Sequence, residues 1–327
     1  MIKSGLSVKA HLRAKRWIGA ALAFACMAPA AALAAQAPAD IFMKDGKLFP
    51  DSLSLAKDGT VYIGTEAHGV YRALPGETEF SPWIQLEGPG PINVGGVMVH
   101  DGSLWICTSG KGDGATALRH LSLPDGKQIG LFQGPAGWGC NDMAITASGD
   151  IYVTDTQNKR VLKMAKGTTT LVPWASDPER FDFVNGLVTQ GNAVFVNSTT
   201  NGGLYRIDIK PDGTSGAITQ LTAPRPLGRP DTMRWLAPNK FLIAEIVSNQ
   251  AATGPMGHAT VATIKGDSVD YRILEGGLDA PSSITANGAY ALVIEAKKQY
   301  HRDPGLIGKD PGPMRAHFVP LGDAAKP

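Results

Sequence analysis

The sequence predicts an all-β fold, a six-bladed β-propeller with four-stranded blades around a central channel. Glycine and proline are frequent, with 39 and 23 among 327 residues, and helix-period runs are scarce. A unit of about 46 residues recurs six times along the chain. A unit of this length has room for four short strands, and such units pack face to face around an axis in a propeller.

The repeat is defined by its turns. A polar residue lies eight positions before the turn residue in three of the units, as Asp51 before Gly59, Asn141 before Gly149 and Asp231 before Asn239 show. Each turn leads into a strand rich in β-branched and aromatic residues. The segment 41–44 precedes the first unit and is predicted to complete the last blade beside residues 316–320. The alternative is a two-sheet sandwich, whose Greek-key connections predict no equal repeats.

The N-terminus has the pattern of a secretory signal peptide. Basic residues in the first sixteen positions precede an apolar stretch, residues 17–28, and small residues that end in Ala32-Leu33-Ala34. Residues 1–35 are therefore predicted to be removed, and residues 36–327 to form a single propeller domain in the periplasm or outside the cell. The alternatives are a permanent membrane anchor and lipidation at Cys26.

Charge limits the partners that the sequence predicts. The formal net charge is +2, and five of the basic residues lie in the leader. We therefore expect no binding to nucleic acid, and no membrane contact after cleavage of the leader. The sequence does not specify an oligomeric state.

Two cysteines remain after the leader, Cys107 and Cys140. Two are too few for a disulfide framework, although an oxidising compartment permits one bridge. Two buried thiols are the expectation, with the bridge as the alternative.

Four units begin with an oxygen-bearing side chain: Asp51, Asn141, Asn185 and Asp231. A propeller places the start of every innermost strand on one face near the axis, so four hard oxygen donors are predicted to meet there. Such a set suits Ca²⁺ or another divalent cation. Cys and His do not occur at zinc-ligand spacing. The alternative is that these residues only cap local backbone groups.

The motifs at these positions resemble those of the gluconolactonase/regucalcin (senescence marker protein) family of calcium-dependent six-bladed propellers. More distantly, the chain is similar to paraoxonases and strictosidine-synthase-like proteins. The matching segments are Asn141-Asp142, Asn185-Gly186-Leu187 and Pro230-Asp231-Thr232-Met233. The resemblance implies metal ligands at the two asparagines and the aspartate.

The chain also departs from the family pattern. Asp51 stands where the first-blade ligand is usually Glu, and Thr232 and Met143 replace glycines. Gly139 stands where regucalcin-type sugar lactonases carry an arginine for the substrate. The resemblance therefore implies a metal site more strongly than it implies a sugar lactone.

By resemblance, the predicted activity is hydrolysis of a small-molecule lactone or ester. The cation would polarise the ester carbonyl while Asp231 activates water. The candidate substrate contacts are Trp138, Asp142, Glu66, Glu295 and His301. Glu66, Glu245 and Glu295 are predicted to end second strands on the metal face, and His301 lies in a last-blade insertion, residues 297–304, that is predicted to cover the mouth.

Each of these side chains has an alternative role in packing or on the solvated rim. No G-x-S-x-G nucleophile motif and no phosphate-binding loop occurs in the sequence. Two other functions remain open at this point. One is a non-catalytic, metal-stabilised propeller that binds a protein or glycan, and the other is a lyase or strictosidine-synthase-like propeller.

Overall fold

The computed structural model describes residues 37–66, 69–88, 90–112, 115–247 and 257–326. The predicted leader and Cys26 lie outside the described residues. In the described part, 24 strands form six antiparallel four-stranded sheets. The predicted six-bladed propeller is confirmed.

The strands follow one another blade by blade, after a first strand β1 (Ile41–Met43). Blade one contains β2 (Pro50–Leu55), β3 (Val61–Thr65), β4 (Gly69–Ala73) and β5 (Ser81–Ile84). Blade two contains β6 (Ile92–His100), β7 (Ser103–Gly110), β8 (Ala117–Ser122) and β9 (Gln128–Phe132). Blade three contains β10 (Met143–Ile145), β11 (Ile151–Asp155), β12 (Arg160–Met164) and β13 (Val172–Ser176).

The second half repeats this order. Blade four contains β14 (Val184–Gln190), β15 (Ala193–Ser198), β16 (Leu204–Ile209) and β17 (Ser215–Gln220). Blade five contains β18 (Pro230–Ala237), β19 (Lys240–Ile246), β20 (Gly257–Lys265) and β21 (Ser268–Gly276). Blade six contains β22 (Pro281–Asn287), β23 (Tyr290–Glu295) and β24 (Met314–Pro320).

Helices are short in the described part. One α-helix, α1 (Gln299–Arg302), follows β23, and two 3₁₀ turns span Thr156–Asn158 and Gly322–Ala325. None of these helices is long and apolar enough to cross a membrane.

The ring is closed by β1, which pairs with β24 and completes the outer edge of blade six. The pairing is antiparallel, with Ile41 opposite Ala316 and Met43 opposite Met314. The predicted closure by the segment that precedes the first unit is therefore confirmed.

The hydrophobic core lies between the blades. In the described part it consists of six clusters, and each cluster joins two neighbouring blades. Between blades six and one, for example, Leu53 and Ile63 pack with Leu292 and Ile294. Because both faces of the second strands are covered by neighbouring blades, β3, β11 and β15 are buried along their whole length rather than on alternate residues.

Backbone conformation and close packing explain the residue type at two positions of the repeat. Asn239 replaces the turn glycine in blade five and adopts φ of 61°, a left-handed conformation that asparagine tolerates. Gly186 lies at a close approach of blades four and five, since a Cβ there would be 2.3 Å from the backbone nitrogen of Met233. A side chain at position 186 would push the two blades apart.

Cys107 and Cys140 form a disulfide, so the expectation of two buried thiols was wrong. Cys107 lies on β7 of blade two, and Cys140 precedes β10 of blade three. The two Cα atoms are 5.0 Å apart because the end of one strand and the start of the other lie at the same seam between the blades. The bridge therefore fixes the residue next to Asn141.

Candidate functional site

A cavity of about 480 Å³ opens on the face where the innermost strands begin. Asp51, Asn141, Asn185 and Asp231 all line it. The structure thus brings the four predicted ligands, which come from four blades, into one cavity. Its size suits a small molecule.

The backbone at the strand starts explains why these side chains face the cavity. The pairing of β2 with β3, of β14 with β15 and of β18 with β19 is irregular over the first residues of each innermost strand. Such bulges change the direction in which a side chain points. The residue just before the strand is left-handed in four blades, at Phe49, Phe183, Arg229 and Ala280.

Two threonines fix the orientation of the asparagine amides. The Thr156 hydroxyl donates to the carbonyl oxygen of Val184 at 2.6 Å, so its oxygen must accept the hydrogen bond from Asn141 Nδ2 at 2.8 Å. Thr199 repeats this arrangement one blade further on. It donates to the Pro230 carbonyl at 2.7 Å and accepts from Asn185 Nδ2 at 3.3 Å.

This orientation leaves the amide oxygens available. Among the described residues, no hydrogen bond is donated to Oδ1 of Asn141 or of Asn185. Two oriented amide oxygens therefore remain as acceptors or cation ligands beside Asp231.

Asp231 is the carboxylate next to these amides. Asn185 Nδ2 donates to Asp231 Oδ1 at 2.9 Å, and the Asp231 backbone carbonyl accepts from Asn197 Nδ2 at 2.8 Å. Burial raises the pKa of Asp231 to about 7, although the charge of Arg302 and the hydrogen bond from Asn185 oppose the rise. A carboxyl group with such a pKa exchanges protons near neutrality.

A buried lysine, which sequence reasoning missed, neutralises Asp51. Lys298 is 5% exposed, and its Nζ contacts Asp51 Oδ1 and lies 3.6 Å from Glu66 Oε1. Burial lowers the pKa of Lys298 well below its usual value, and the charge of Arg302 adds to this. The sequence signal was Lys298 itself, a basic residue within the insertion that was predicted to lie at the mouth.

The insertion does reach the mouth of the cavity. His301 Nδ1 lies 2.9 Å from Glu66 Oε2, and its ring stacks on Phe49 with centroids 5.0 Å apart. Glu66, Lys298 and Arg302 line the cavity, whereas His301 is not among the described lining residues. His301 instead holds the insertion against blade one.

Asp142 does not line the cavity. Its carboxylate is buried and accepts two hydrogen bonds from Arg234, at 2.7 Å and 3.0 Å. Arg234 also donates to Met233 O at 2.9 Å and to Ser52 Oγ at 3.3 Å. This guanidinium joins blades one, three and five at the innermost strands, so the Asp142–Arg234 pair has a structural role.

Trp138 also lies outside the described lining. It is 7% exposed and packs with the Cys107–Cys140 disulfide and Met143 in the core between blades two and three. The structure therefore places Trp138 behind the cavity wall.

Glu66 and Glu295 face different sides because they lie at different positions of the blade. Thr65, not Glu66, pairs with the first residue of the innermost strand, as Glu295 does in blade six. β23 ends at Glu295, but β3 ends at Thr65, so Glu66 lies one position further along. A shift of one residue moves a side chain to the other face of a strand. Glu66 faces the cavity, whereas Glu295 pairs with Arg315 and accepts from the Asp279 backbone nitrogen at 2.9 Å.

Glu245 has the same role as Glu295. It is fully buried, binds Arg225 through two hydrogen bonds of 2.8 Å and accepts from the Gly228 backbone nitrogen at 2.7 Å. Each of these two carboxylates holds the loop that precedes the innermost strand of its own blade. Glu245 and Glu295 were predicted to lie on the open face with Glu66. In the structure their carboxylates instead bind arginines and backbone N–H groups.

The donor set is rich in oxygen but poor in charge. In the part of the chain that the structure describes, no group of three or more His, Cys, Asp and Glu side chains is arranged to hold a metal ion. The four predicted ligands instead comprise two amides and two carboxylates, and one of these carboxylates, Asp51, is already paired with Lys298.

Searches of protein-family models and of curated proteins found no match. Among solved structures, the chain is similar to a gluconolactonase from Xanthomonas campestris, at 15% identity and TM-score 0.59, over 84% of this chain and 88% of that one. It is also similar to virginiamycin B lyase from Staphylococcus aureus, at 11% identity and TM-score 0.52, over 86% and 98% of the two chains.

A third similar structure comes from a nidogen/laminin complex, at 16% identity and TM-score 0.51, over 72% and 85% of the two chains. At these identities the similarity concerns the fold. The resemblance to the gluconolactonase family is confirmed at that level: the chain is a six-bladed propeller with the fold that a gluconolactonase also has.

Proposed function

We propose that the protein is a divalent-cation-dependent hydrolase of the lactonase or esterase type that acts on a small molecule. The observation that carries this proposal is the placement of Asp231, beside the oriented amides of Asn141 and Asn185, in a cavity of about 480 Å³. A gluconolactonase among the similar structures supports the reaction class.

The residues fit a hard cation such as Ca²⁺, which prefers carboxylate and amide oxygens. Asn141, Asn185 and Asp231 would hold it, and Asp51 would join them once its carboxylate is released from Lys298. The cation would supply Lewis acidity toward the ester carbonyl.

The protein's own residues account for positioning and proton transfer. Asp231 accepts the proton of the attacking water, and Asn185 holds the Asp231 carboxylate in place through its Nδ2 hydrogen bond. Thr199, which accepts from Asn185 Nδ2 and donates to the Pro230 carbonyl, keeps the Asn185 amide from flipping. The site is thereby oriented before the substrate arrives.

The proposal includes the compartment. The leader pattern and the Cys107–Cys140 disulfide both favour a periplasmic or secreted protein, since disulfides persist in oxidising environments. Its partner is a small-molecule substrate, and we propose neither nucleic acid nor membrane as a partner of the mature chain.

A hydrolysis screen tests the proposal. The full mature chain is assayed against lactones and aryl esters in Ca²⁺ and in EDTA. We expect turnover that EDTA removes and Ca²⁺ restores. Absence of turnover on every substrate would favour the alternative, a non-catalytic, metal-stabilised propeller that binds a protein or glycan.

We expect Lys298→Met to raise the affinity for Ca²⁺. Contact with the Asp51 carboxylate favours the ammonium form of Lys298 against the effect of burial, and this ammonium repels a second cation in the cavity. Charges a few Å apart interact by several kcal/mol in a protein site, so the affinity should rise by about tenfold or more. Isothermal titration with Ca²⁺ measures the effect.

Lys297→Met is the matched control for this substitution. Lys297 lies next to Lys298 but pairs with Asp279 and the Pro311 carbonyl, away from the described lining of the cavity. Its loss removes the same charge and should leave Ca²⁺ affinity within about twofold of the parent, since exposed or distant charges are screened. Equal affinities in the two variants would show that Lys298 does not compete for the site.

A further inference from the structure

The residue directly before the innermost strand lines the cavity in blades four and five, where it is Phe183 and Arg229. In blades one, four, five and six the residue at this position is left-handed, with φ of 43° at Phe49, 63° at Phe183, 33° at Arg229 and 48° at Ala280. The backbone therefore accepts phenylalanine, arginine or alanine at this position. Because the fold does not require arginine there, Arg229 needs another explanation.

Arg229 is exposed and lines the cavity. Its backbone carbonyl accepts from the Ile246 nitrogen, but its guanidinium makes no hydrogen bond and no ion pair with any residue that the structure describes. The guanidinium charge nevertheless opposes the rise in the pKa of Asp231. Arg302 is also exposed and lines the cavity, and its contact with Glu66 is long, at 3.5 Å. Two guanidinium groups at the mouth thus have unused donors.

Among the described residues, the carboxylates of the cavity accept no hydrogen bond from the Arg229 guanidinium. Asp51 is held by Lys298, and Glu66 contacts His301 and Lys298 as well as Arg302. Asp231 accepts its hydrogen bond from Asn185. The positive charge of Arg229 is therefore available to bind an anionic group of a ligand that enters the cavity.

We propose that the substrate is an anionic lactone or ester, whose carboxylate or phosphate group is bound at the mouth by Arg229 and Arg302. Guanidinium groups bind such anions through paired hydrogen bonds. Phe183, which is 48% exposed and also lines the cavity, offers an apolar face for the ring. That the bound anion is a substrate rests on the proposed hydrolase function. The anion site itself does not depend on that function.

Ligand binding without turnover tests the anion site separately from hydrolysis. The full mature chain in EDTA is titrated calorimetrically with tetrahydrofuran-2-carboxylate, with tetrahydrofurfuryl phosphate and with the neutral tetrahydrofurfuryl alcohol. We expect at least one of the anions to bind about tenfold or more tightly than the alcohol, as a charge-assisted pair predicts. The stronger of the two anions identifies the group.

Variants identify the residues responsible. Arg229→Gln should lose about tenfold or more in affinity for the preferred anion and less than about twofold for the alcohol, with Arg302→Gln in the same direction. Arg229→Lys, which keeps the charge but not the paired donors, should fall between parent and Arg229→Gln. Arg272→Gln, on β21 at the outer edge of the same blade, is the control and should bind like the parent.

The inference is overturned if the parent binds the alcohol as tightly as both anions, or if Arg229→Gln and Arg272→Gln behave alike. Failure of the proposed function looks different. If the anion binds through Arg229 but no lactone or ester is hydrolysed, the anion site stands and the hydrolase does not. If neutral lactones are hydrolysed and Arg229→Gln changes neither their kcat/KM nor anion binding, the hydrolase proposal stands and the anion site does not.

Discussion

Asp231→Asn should reduce lactone hydrolysis by about 10² to 10⁴-fold at saturating Ca²⁺, the range expected for loss of a general base. The substitution keeps the volume and an oxygen that can accept the hydrogen bond from Asn185 Nδ2. The fold and the cavity should therefore persist, and excess Ca²⁺ should restore metal binding without restoring turnover. Steady-state kinetics over a range of Ca²⁺ concentrations separates the two effects.

Asn185→Asp is the companion variant. It retains an oxygen ligand and leaves the Asp231 carboxylate available as a base, so it should retain Ca²⁺ binding and some turnover. If Asp231→Asn hydrolyses lactones as fast as the parent when Ca²⁺ is saturating, Asp231 is not the base, whatever Asn185→Asp shows.

Arg234→Met should lower the free energy of unfolding by about 3–5 kcal/mol, because it leaves the buried Asp142 carboxylate without its partner. The loss also removes a donor that reaches Ser52 of blade one from blade five. Urea unfolding of the full mature chain measures the change. A loss below about 1 kcal/mol would mean that the pair does not stabilise the ring.

Two controls isolate the cause. The double variant Arg234→Met with Asp142→Leu removes both charges, and it should recover much of the loss because apolar groups often replace buried ion pairs without cost. Lys265→Met breaks the exposed pair with Asp270, whose side chains are 64% and 63% exposed, and should change stability by less than about 1 kcal/mol.

The blade repeat could be read from the sequence because it is encoded locally. Polar residues such as Asp51 and Asp231 lie at a fixed distance from their turns, and apolar strands follow. The geometry that turns these side chains inward is also local to each strand start. The shared cavity of these side chains could therefore be predicted from the fold class together with their positions in the repeat.

The partners of the charged residues could not be read in the same way, because they depend on contacts between distant blades. Lys298 reaches Asp51 from the other end of the chain, and Arg234 reaches Asp142 across the axis. Asp142 appeared as a substrate contact because its motif was visible and its buried partner was not. Glu66 and Glu295 were grouped because a difference of one residue at a strand end is finer than a sequence pattern defines.

The pairing of β1 with β24 has a consequence for biosynthesis. Ile41 pairs with Ala316, which is synthesised much later, so the ring cannot close until β24 has been made. Contacts between residues this far apart in sequence also form slowly. A nascent chain that stops before β24 leaves β23 as an open sheet edge. Blade six, and with it the ring, is complete only after β24 has been added.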